Sequence, residues 1–73
     1  MLRLALVAVR RTGTERWAYV SGELEGDEIH VGDEVTLAVD GVDVTTTTVR
    51  SVETYSPPPI TTIAVDAAVA ELL

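Results

Sequence analysis

From Val42 to Val52 the chain reads Val-Asp-Val-Thr-Thr-Thr-Thr-Val-Arg-Ser-Val, a run built mostly of β-branched residues. Such side chains lose rotamer freedom against the preceding turn of a helix but pack well on a pleated strand. The run is therefore predicted as the longest strand. Before it stand Val35, Leu37 and Val39 alternating with Thr36 and Ala38, then Asp40-Gly41. An Asp-Gly pair between two such runs predicts a β-hairpin. After it, Tyr55-Ser56-Pro57-Pro58-Pro59 ends the strand, because prolines cannot donate to a ladder and hold the chain extended. This segment reads as a rigid loop rather than as a ligand for an SH3-like domain.

The same grammar extends upstream. Met1 to Val9 is apolar with one arginine and reads as a buried first strand, followed by a turn at Thr12-Gly13-Thr14. It is too short to span a bilayer and lacks the cleavage pattern of a signal peptide. From Arg16 to Leu24, Trp17 and Tyr19 point one way while Ala18, Val20 and Gly22 point the other, the period of two of a strand. Glu25-Gly26-Asp27 is a turn, Glu28 to Val31 a short strand, and Val31-Gly32-Asp33-Glu34 a second turn. At the other end, residues 66–73 are alanine-rich and helical by propensity.

Length and charge limit what such a chain can do. Its 73 residues make one domain, residues 1–73. A chain of this size buries only roughly 60% of its unfolded surface, so oligomerisation or docking onto another chain is expected to help. It has no cysteine, hence no disulfide and no thiolate metal site, which fits a cytoplasmic location. The net charge is −7, and it is unevenly spread. Arg3, Arg10, Arg11 and Arg16 face a single acid, Glu15, in residues 1–22, whereas residues 23–43 hold eight acids and no Arg or Lys. An acidic surface repels phosphate, so nucleic acid is not expected as a general partner.

Gly22 to Val35 carries a resemblance. Gly22, Leu24, the turn at Gly26-Asp27 and then Ile29-His30-Val31-Gly32-Asp33-Glu34-Val35 are similar to the pattern of domain 2 of the translational GTPases, the β-barrel of elongation factor Tu and its relatives. Thr47-Thr48-Val49-Arg50-Ser51-Val52-Glu53 resembles the family strand ending in glutamate. Ala64-Val65-Asp66-Ala67-Ala68-Val69 resembles its closing turn and strand. The likeness runs from about Leu4 to Leu72. It implies an all-β fold, a small closed or nearly closed antiparallel barrel of about six strands, and a strand where propensity reads helix. It departs from the family at Trp17, near a usual glycine, and at Ser56 and Ala67, where tRNA-binding members carry an arginine and an amide. Only Glu53 is carried over, as a ribose contact. The chain has no lysine and so no phosphate loop; the GTPase domain is not expected.

No catalytic constellation stands out. Paired acids such as Asp33-Glu34, or Asp40 with Asp43, sit at predicted hairpin tips, where a dry, concave site has little room. Asp40-Gly41-Val42-Asp43 lacks the ligand spacing of an EF-hand, and His30, between Ile29 and Val31, is expected to face solvent. Neither an enzyme, a metal nor a cofactor is expected. The expected role is a non-catalytic interaction module that docks a protein or a second copy of itself, through Trp17, Tyr19 and Arg16. The alternative is an RNA- or tRNA-linked accessory acting in trans with a GTPase, supported by Arg10, Arg11 and Arg16.

Overall fold

The computed structural model describes residues 2–11, 16–53 and 58–73. Six strands and one short helix follow one another: β1 (Leu2–Arg11), β2 (Trp17–Glu25), β3 (Glu34–Val39), β4 (Val42–Thr48), β5 (Ser51–Glu53), β6 (Ile60–Asp66) and α1 (Ala67–Ala70). The strands form one sheet in the order β4-β3-β1-β2-β6-β5. The fold is thus all-β with six strands, the class and approximate count that the resemblance implies. It is not wholly antiparallel: Leu2 to Ala5 of β1 run parallel to Val35 to Ala38 of β3. The chain reaches that pairing through β2 and an intervening loop, a crossover rather than a hairpin. The ladder itself is open, with β4 and β5 as its two edges.

The core is aliphatic. Leu4, Val20, Val35, Leu37, Val49, Ile63 and Val65 are fully buried, and Leu2, Leu6, Leu24, Ile29, Val52, Val69 and Leu73 pack around them. Alternation puts them there: Ala18, Val20 and Gly22 of β2 point inward, while Trp17, Tyr19 and Ser21 lie on the outer face. In β1 a bulge interrupts the register between Leu6 and Ala8, so that Leu6 faces Gly22 and Ala8 faces Ser21. Before it the even-numbered residues face inward; after it Val9 and Arg11 do, opposite Val20 and Ala18. At the bulge the two backbones lie so close that a side chain on Gly22 would collide with the carbonyl of Ala5.

The Asp40-Gly41 hairpin forms as read, with both residues at positive φ, 52° and 81°. The long strand predicted from Val42 to Val52 is divided. Thr48 is the last residue paired with β3, and Ser51 the first paired with β6. Between them the Val49 amide donates to the Asp33 carbonyl (2.9 Å), and the Arg50 amide donates to the Ala64 carbonyl (2.8 Å). The chain stays extended but changes neighbours.

Two further expectations are corrected. Glu28 to Val31 is not a strand: the Asp33 carboxylate accepts the His30 amide (2.8 Å), and the Asp33 amide donates to the His30 carbonyl (3.1 Å). These local bonds take groups a ladder would have used. At the C-terminus the strand ends at Asp66 and Ala67–Ala70 is helical. Alanine propensity prevails over the strand implied by the resemblance, and the turn seats Val69, Ala70 and Leu73 against the core. The Tyr55-Ser56-Pro57 part of the proline-rich loop and the turn read at Thr12-Gly13-Thr14 lie outside the described residues.

Candidate interaction surface

On the outer face of β1, β2 and β6 the side chains fall into cross-strand rows. Trp17, the first residue of β2, stands opposite Asp66. Asp66 is gripped by Arg50, whose Nε and terminal nitrogen donate to its two carboxylate oxygens (3.0 and 3.1 Å). This pairing holds the Arg50 guanidinium charged above its ordinary pKa, through the hydrogen bonds to Asp66 first and its charge second. In the next row Tyr19 stands between Ala64 of β6 and Arg10 of β1. The Arg10 guanidinium lies over the Tyr19 ring, 5.2 Å from its centroid, a cation–π contact. A third row joins Ser21 to Thr62 through their hydroxyls (2.7 Å).

Trp17 is 39% exposed, among the larger exposed apolar side chains, and Tyr19 is half-buried beneath Arg10. The two aromatics read as partner contacts are therefore neighbours on one face. Arg16 is exposed at the start of the same strand, and its carbonyl accepts the Ala67 amide (2.8 Å), which ties α1 to β2. Glu53, the residue carried over as a ribose contact, is half-buried at the end of β5, opposite Thr62. It shares the outer face with Tyr19 but is two strands away. Arg10 was read in the sequence only as support for the RNA-linked alternative, and the Arg50–Asp66 pair was not singled out. Arg10 could have been found by placing the β1–β2 hairpin in register; the pairing of Arg50 with Asp66 depends on β5 lying beside β6.

The charges divided in sequence meet in part in the fold. Arg3 is held by Glu25 and by Asp43 (2.7 Å), and it also donates to the Gly41 carbonyl (3.3 Å), so it ties β1 to β2 and to the β3–β4 hairpin. Its hydrogen bonds to Asp43, then to Glu25, raise its pKa. Arg10, Arg11 and Arg16, in contrast, form no ion pair with any described residue. At the acidic end His30 is exposed, as read, with its ring 3.5 Å from Glu28 and 3.6 Å from Asp33. Among the described residues no set of three or more histidines and acids is placed to hold a metal ion, and no helix is long and apolar enough to cross a membrane.

Comparison with protein-family models, curated proteins and solved structures gives no match.

Proposed function

We propose that this chain is a non-catalytic cytoplasmic interaction module that docks a protein partner through the outer face of β1, β2 and β6, on a barrel of the translation-factor domain 2 type. One observation carries the docking reading: an exposed Trp17 beside the Arg10–Tyr19 stack, with Arg16 at the same end of β2. Tryptophan, tyrosine and arginine are the residues that contribute most to protein interfaces. The barrel reading is supported by the two edge strands, β4 and β5, being consecutive in the chain. They are joined by Val49-Arg50, whose amides reach Asp33 at one side of the gap and Ala64 at the other.

The test is a photo-cross-linker at position 17, used in the cell of origin, with the captured protein then titrated against the purified chain. Binding by that protein, weakened about tenfold or more in Trp17→Ala, is the expected result. Light scattering should show a monomer before the partner is added. The tRNA-linked reading draws on the same stack, because a base can lie on an aromatic ring flanked by arginine. It gives a different result: saturable tRNA binding by the monomer at low salt would overturn protein docking in its favour.

A further inference from the structure

β1 outruns its neighbour. Leu2 to Ala5 pair with β3, which then turns away at Asp40-Gly41. From Leu6 onward, β2 is the sole described strand beside β1. Ala8 to Arg11 nevertheless keep a regular antiparallel register with Ser21 to Ala18. Every residue from Val7 to Arg11 is exposed, and Val7 and Val9 are 67% and 42% accessible. One side of this segment therefore presents strand backbone that no described strand pairs.

We propose that this edge receives an extended acidic protein segment as an added strand, a mode of docking that rests on the protein-binding reading above. Charge selects the occupant. Arg10 projects to the outer face and Arg11 to the inner one, and neither forms an ion pair with a described residue, although acids outnumber basic residues 12 to 5 in the chain. A second copy joined edge to edge about a two-fold axis would bring its own Arg10 and Arg11 against these, so the arginines oppose self-pairing, as charged edge residues commonly do. A foreign strand meets Ala8, Val9, Arg10 and Arg11 in succession. It is best matched by a small residue, an apolar one and two acids, with main-chain bonds supplying affinity and side chains selectivity.

The probe is a blocked synthetic peptide, Val-Glu-Glu-Val-Glu-Glu-Val, titrated at low salt into the full nitrogen-15-labelled chain. Its controls are the same peptide with alternate amides N-methylated and a version with lysine for glutamate. Amide exchange within residues 8–11 should slow about tenfold or more with the first peptide and stay unchanged with both controls. Arg10→Glu and Arg11→Glu, whose fold is checked by circular dichroism, should each weaken binding about tenfold. Equal binding of the N-methylated peptide would overturn strand addition, leaving only charge attraction. Absence of binding would overturn the acidic segment, and protection of residues 8–11 that grows with protein concentration alone would make the occupant a second copy. If the partner captured at position 17 binds without altering exchange at this edge, the inference fails while protein docking stands. If no protein is captured there, the docking reading fails on its own test.

Discussion

At the scale of single residues, Gly22 and Trp17 divide structure from recognition. A Cβ on Gly22 would lie 2.1 Å from the Ala5 carbonyl oxygen and 2.9 Å from the Leu6 Cα, and both are backbone atoms that cannot swing aside. Gly22→Ala must force β1 and β2 apart at the bulge. Overpacking of this kind costs about 1–3 kcal/mol, and contact with backbone puts Gly22→Ala at the upper end of that range; urea unfolding measures it, and an unchanged midpoint would refute the close approach. Trp17 is the opposite case. It packs on the outer face and leaves the aliphatic core intact, so Trp17→Ala should cost less than about 1 kcal/mol in the same assay while weakening partner binding about tenfold or more. Were Trp17→Ala to unfold the chain, the side chain would be structural and its exposure incidental.

At the scale of elements, the division of the long β-branched run is the informative feature. Val49 is fully buried and Arg50 exposed, yet their backbone amides donate to opposite neighbours, to Asp33 just before β3 and to Ala64 of β6. Truncating the side chains separates packing from backbone bridging. Val49→Ala removes buried apolar volume and should cost about 2 kcal/mol. Arg50→Ala breaks a solvent-exposed pair with Asp66 and should shift the thermal midpoint far less. Equal losses would mean that the ion pair, rather than the core, holds β5 to β6. Elements governed by local chemistry were legible in the sequence: the alternation of β2, the hairpin at Asp40-Gly41 and the helical tendency after Asp66. What was not legible depended on distant partners. Nothing near Leu2 specifies a parallel neighbour at Val35, and nothing near Val49 marks where pairing passes from β3 to β6. The candidate surface was legible in part for the same reason. Trp17 and Tyr19 lie on one strand with Arg16 just before it, but the stack of Arg10 on Tyr19 needs the register of two.

At the scale of the whole molecule, the balance of charge sets how stability responds to salt. The chain spans 31 × 26 × 21 Å and carries a net −7, with Glu23, Asp27, Glu28, Asp33, Glu34 and Asp40 outside the arginine ion pairs of the described residues. At about 0.01 M salt the screening length is about 30 Å, as long as the molecule, so these acids repel one another throughout. At about 0.15 M it falls to about 8 Å, which removes most of that repulsion. The contacts of Arg3 with Asp43 (2.7 Å) and of Arg50 with Asp66 (3.0 Å) are far shorter than either length and are weakened less. Stability should therefore rise with sodium chloride over this range. A gain of about 1 kcal/mol corresponds to about 4–8 °C in the thermal midpoint of a domain this small. Chloride is the salt to use, since sulfate stabilises proteins through its exclusion from their surface and would mask the screening effect. Replacing one unpaired acid by a basic residue, Glu34→Arg, should raise the low-salt midpoint and flatten the dependence. A midpoint that instead falls as salt is added would show that the few close arginine pairs outweigh the net acidity.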